Sequence, residues 1–169
     1  MARGLNLPGF LLQLRHTHWQ FDDFNDDQAD TVWVDTITDT GTVTIGDAAN
    51  GIVALVPSDG TVADNDEACL ESANETFLFA ANKPFVLEAS VQFTEANTDD
   101  ANVFAGLIDA AGANLLVDDG AGPKTTASGV GIYKVDGGTV WRAFSSKSTT
   151  QTTTASTTRH CSTTERRRR

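Results

Sequence analysis

Residues 84–109 constrain the fold more than any other stretch. Phe85, Leu87, Ala89, Val91 and Phe93 fall on every second position, with Val86, Glu88, Ser90 and Gln92 between them. Alternation of this length is the pattern of a strand with one buried face, because successive side chains leave a strand on opposite sides. A polar, acidic loop follows from Thr94 to Ala101, and then a second apolar run over 102–109. Two long antiparallel strands at the centre of a sheet, joined by a solvated turn, are expected.

The rest of the body carries the same signature. Residues 31–38 alternate and are rich in β-branched side chains, and Asp39-Thr-Gly41 leads into 42–45. Asn50-Gly51 is the strongest hairpin signal in the chain, and it precedes a strand over 51–56 that Pro57 and Gly60 stop. Further strands are expected over 67–72, 76–80 and 115–117. Residues 128–135 and 139–144 flank Asp136-Gly137-Gly138, a second hairpin. About ten strands with turn signals every 8 to 12 residues or so, and no convincing helix, predict an all-β, two-sheet antiparallel sandwich rather than βαβ units.

Size and charge bound the function. The 169 residues suffice for one domain with a sizeable core, at 40% apolar and 21% charged. Between His16 and Thr158 five basic residues face 22 acidic ones, a balance of −17 that the net −11 understates. A body this acidic repels phosphate backbones, so no nucleic-acid partner is expected. No apolar run approaches the roughly 18 residues of a membrane span, so no membrane partner is expected either. Cys69 lies in patterned sequence and reads as a buried free thiol. Cys161 is too far away to make a disulfide framework with it.

Three segments are expected. Residues 1–18 read as a flexible or docking arm; they faintly resemble a signal peptide, but Asn6, Pro8 and Gln13 interrupt the apolar run. Residues 19–146 form the sandwich. Residues 147–169 combine a Ser/Thr-rich stretch, readable as an exposed strand or a linker, with the basic tail Arg159 to Arg169. The abrupt change at Arg159 fits a disordered tail, and equally a reading-frame slip, in which case the closing strands of the sandwich are missing.

Little in the sequence points to chemistry. The dense polar clusters are loop acids: Asp22/Asp23, Asp26/Asp27, Asp64/Asp66/Glu67, Asp99/Asp100 and Asp118/Asp119. Calcium takes six to eight oxygens, and two such loops together would suit a structural calcium. None follows the EF-hand spacing, Asp64-Asn65-Asp66 having no Gly at the sixth position. Glycoside hydrolysis needs two carboxylates at fixed separation, and the best strand offers Glu88 alone. His16, His18 and His160 all lie towards the ends, so no Ser-His or Cys-His pair is set by the core. No phosphate-cradling loop is present, and Asn74-Glu75-Thr76 is a weak glycosylation match. No enzyme is expected. Trp33 and Trp141 are expected in the core.

Phe79-Ala-Ala-Asn-Lys-Pro-Phe-Val-Leu-Glu-Ala-Ser-Val-Gln-Phe93, then Asn102-Val-Phe-Ala-Gly-Leu-Ile-Asp109, and later Ile132-Tyr-Lys-Val-Asp-Gly-Gly138 resemble the concanavalin A-like (laminin-G-like) jelly roll. The likeness is to the versions found among virion proteins of tailed bacteriophages and in environmental viral sequence, and it spans residues 21–146. It implies a non-enzymatic structural role on a virion surface or outside the cell, such as capsid decoration or a fibre-associated module. Other virion proteins would be the partners, and a homo-oligomer such as a trimer the assembly. The alternative is a carbohydrate-binding, lectin-like module that meets a surface glycan through loops at one end of the sandwich, with calcium as the one cofactor to consider. Its ligand-binding residues would be Asp99, Asp100, Asp118 and Asp119, with Tyr133 (or Phe104) as an exposed aromatic beside them.

Overall fold

The structure is a computed structural model that describes residues 20–25, 32–46, 48–49, 51–58, 60–61, 66–94, 101–109, 111–112, 114–117 and 120–155. The architecture is all-β with almost no helix, and its several antiparallel sheets are consistent with a β-sandwich. The arm over 1–18 and the basic tail lie outside the described residues.

Two small sheets form the first part. β1 (Trp33–Thr38) pairs antiparallel with β4 (Glu67–Ser72), and β2 (Thr42–Gly46) pairs with β3 (Ile52–Val56). The second pair is the hairpin that Asn50-Gly51 announced. Gly51 has φ 58°, and a Cβ there would collide with the carbonyl oxygen of Asp23. Glycine is therefore required twice over, for its left-handed backbone and for the close approach of the Asp23–Phe24 backbone. Strand alternation puts Trp33, Asp35 and Leu70 on one face of the first pair and Val43, Ile45 and Val53 on one face of the second. These six line a common cleft.

The second part is a four-stranded sheet in the order β10 (Thr150–Ala155), β9 (Arg142–Lys147), β8 (Gly129–Lys134), β5 (Val103–Ile108). The register sets Phe104 opposite Tyr133, and Gly106 opposite Gly131 opposite Phe144, all on one face. Bare backbone at Gly131 makes room for the Phe104 ring, since a Cβ there would lie 2.8 Å from its Cζ. Phe104 then meets Phe144 edge-on with centroids 6.3 Å apart. The connection carrying β6 (Leu116–Val117) and β7 (Gly122–Pro123) folds over this face, so Leu115, Leu116 and Ala127 join Tyr133, Val135 and Phe144 in the buried core. Gln151 of β10 fastens the cover, its Nε2 donating to the Lys124 carbonyl at 2.6 Å.

The stretch expected to be the central strand is not a strand. Residues 84–93 enter no ladder, and among the described residues their backbone makes no hydrogen bond. β5, their expected partner, pairs with β8, and no described residue pairs with its other edge. The segment touches its neighbours near its ends, where Phe85 meets Phe79 edge-on at 5.0 Å and Phe93 meets Trp141 at 5.8 Å. Alternation reports which side chains favour burial, not which strand will cover them. Residues 76–80 likewise form no strand.

The sheet also runs past the boundary expected at residue 146. The Thr-rich stretch is an exposed strand over 150–155 rather than a linker. Lys147 pairs with Thr150, so Ser148 and Thr149 make a two-residue turn, with φ 47° and 71°. Both values are left-handed, as a type I′ hairpin requires, although neither residue favours that region.

Candidate functional site

Tyr133 is the one residue of the expected ligand set among the described residues; Asp99, Asp100, Asp118 and Asp119 lie outside them. It is not an exposed aromatic. Its place on β8 turns it to the covered face of the sheet, where it is 2% exposed. Gly122 lies against its ring, a Cβ there falling 3.4 Å from Cε2. Phe104, the other aromatic considered, is half-buried opposite it. Trp33 and Trp141 are half-buried too, and neither belongs to the core cluster.

The structure instead brings aromatic and acidic groups together in the cleft between the two small sheets. Phe24, held at φ 51°, lies tilted against Trp33 with ring centroids 5.7 Å apart. Asp22 fixes both: its Oδ2 accepts the Trp33 indole N–H at 2.6 Å, and its Oδ1 accepts the Phe24 backbone N–H at 2.8 Å. Asp35, two residues beyond Trp33 on the same face of β1, is exposed at the edge of this cleft. The cleft measures about 110 Å³, well below the roughly 300–1,000 Å³ of a small-molecule pocket. It could admit the edge of a sugar ring or a single cationic head, with a carboxylate beside an aromatic wall. The signal that marks it in the sequence is an acid, Asp35, on the inward positions of an otherwise apolar alternation.

The opposite face of β1 and β4 carries the remaining polar groups. A shallow groove of about 300 Å³ is lined by Val34, Glu71, Ser72, Ala73, Asn74 and Glu75. Thr36 donates its hydroxyl to Glu71 Oε1 at 2.9 Å. Cys69 is free and half-buried between Glu67 and Glu71 on this face, and burial pushes its thiol pKa up, the two carboxylates adding to the shift. Glu67 Oε1 accepts the Asn114 backbone N–H at 2.6 Å, while Glu67 Oε2 is buried with no hydrogen-bond partner among the described residues.

One orphaned carboxylate oxygen is a single ligand of the six to eight that calcium takes. No group of three or more His, Cys, Asp or Glu side chains among the described residues is placed to hold a metal. No helix among the described residues is long and apolar enough to cross a membrane. Comparison of the chain with protein-family models, with curated proteins and with solved structures returns no match.

Proposed function

We propose that this chain is a non-enzymatic structural module of a particle surface, a capsid-decoration or fibre-associated protein of a tailed bacteriophage built on a concanavalin A-like jelly roll. The observation that carries the reading is the apolar surface of the two small sheets. Ile52 is 54% exposed on the outer face of β3, which Val56 shares, and Phe21 and Val34 are exposed as well. Large apolar side chains left exposed on an otherwise acidic body suit a surface on which another protein sits. The partner would be another virion protein, and the acidic remainder would keep the module soluble until it docks.

Particles banded on a density gradient are expected to carry the chain at fixed stoichiometry. Replacing Ile52 and Val56 by Lys is expected to leave it at the top of the gradient with its circular dichroism unchanged. A wild-type chain that stays with the soluble fraction overturns the reading.

The cleft favours one alternative, a lectin-like module that meets a glycan at Phe24, Trp33 and Asp35. A glycan array run with calcium and with chelator separates the two. Binding to one sugar class that is lost in Trp33→Ala favours the lectin, and silence in both conditions favours the structural module.

A further inference from the structure

Residues 84–93 combine three properties that rarely coincide. They alternate in the manner of a strand, they make no backbone hydrogen bond among the described residues, and their apolar side chains face solvent, Val86 being 93% exposed. Backbone groups in such a segment are left to water, and its apolar side chains, 38–93% exposed, realise only part of the burial open to them. In the same molecule β5 ends the four-stranded sheet with one edge unpaired among the described residues. An open strand edge is a template for another strand.

We infer that this chain self-associates by strand exchange, residues 84–93 of one copy pairing antiparallel with the open edge of β5 in a second copy, and reciprocally. The occupant is a second copy because each molecule carries both halves of the contact, the unpaired segment and the open edge. The exchange is then self-complementary about a two-fold axis, and two ladders form for one loss of translational freedom. Five large apolar side chains stand exposed in 84–93, namely Phe85, Val86, Leu87, Val91 and Phe93; with on the order of 500 Å² in each copy, the two segments of a reciprocal exchange offer together the roughly 1,000 Å² that a specific interface should clear. The geometry also starts the pairing at the right end. Phe93 packs on Trp141 and lies under the Lys134 ammonium, 5.9 Å from its ring centroid. Lys134 is itself 3% exposed, opposite Val103 at the head of β5. The segment thus leaves the sheet beside the first residue of the edge it would pair with.

Charge opposes the association. Each copy carries a net −11, so added salt strengthens the dimer by screening the repulsion. The inference concerns copies of this chain alone and does not rest on the virion reading.

The test is light-scattering mass together with amide hydrogen exchange on the full chain, at several concentrations and two salt levels. Expected is a mass about twice 18.0 kDa, favoured by salt, with exchange at 84–93 slowed at least about tenfold in the dimer relative to dilute protein. Ser90→Pro with Val91→Pro removes two successive N–H groups, one of which must face the proposed ladder, while breaking no hydrogen bond described for the single copy. It is expected to yield monomer with an unchanged circular dichroism spectrum. A monomer at every concentration overturns the inference, whether 84–93 exchanges freely or is protected by pairing within its own chain. A dimer whose 84–93 amides exchange freely overturns it equally, as does a chain carrying both Ser90→Pro and Val91→Pro that still dimerises.

Discussion

Gly51 shows how much one residue without a side chain can hold in place. It lets the β2–β3 hairpin turn at positive φ and lets the 23–24 backbone lie against it, which is how Phe24 comes to rest on Trp33. Gly51→Ala is expected to lower stability by at least about 2 kcal/mol, from left-handed strain plus the clash with Asp23, and urea unfolding would register it. Cys69 gives a pH-dependent readout. Its thiol is raised by burial and by Glu67 and Glu71, so at pH 8 it should be alkylated by iodoacetamide more slowly than free cysteine, as followed by peptide mass. The sign for stability follows from linkage. Above the ordinary thiol value near pH 8.5 the unfolded chain has released a proton that the folded chain retains, so this contribution is intact below that pH and declines as pH rises through the folded value. The thiol was legible in the sequence as buried. The neighbouring carboxylates that shift it were legible too, since alternation puts positions 67, 69 and 71 on one face.

Turns and pairings mark the limit of sequence legibility at the scale of elements. The strands over 31–38, 42–45, 51–56 and 67–72 were visible from alternation and punctuation, and the Asn50-Gly51 hairpin from its turn chemistry. The pairing of β1 with β4 was not, because alternation fixes a face and says nothing about the neighbour across 30 residues of chain. The strand after Asp136-Gly137-Gly138 begins at Arg142 rather than Thr139, since the connection is longer than the glycines alone demand. The β9–β10 turn was silent, Ser148 and Thr149 lacking the left-handed preference that marks Asn-Gly. That silence is a measurable strain. Replacing the pair, Ser148→Asn with Thr149→Gly, is expected to stabilise the chain by about 1 kcal/mol and raise Tm by roughly 2–4 °C, read by thermal melting. The misleading stretch was 84–93, where the strongest alternation in the chain belongs to a segment with no ladder of its own.

At the scale of the whole molecule, burial is concentrated under one cover. Tyr133, Phe144 and Val135 are shielded by the connection between β5 and β8, whose far end is held by Gln151 at the Lys124 and Pro123 carbonyls, the latter at 3.5 Å. Gln151→Ala is expected to speed amide exchange in 115–127 more than in β1–β4, since it frees the cover and leaves the small sheets alone. The cleft at Trp33 was half legible: the aromatic and the acid stand in plain alternation, but nothing local in the sequence says that β2 and β3 would close over them. The placement of that fastening glutamine also sets an order in time. Synthesis runs from the amino end, so the cover is made before the strand that ties it down, and the aromatic cluster waits unsealed until position 151 has left the ribosome. A nascent chain stalled with only residues up to Lys147 free should be clipped by protease around 115–127, and one released past Ala155 should resist.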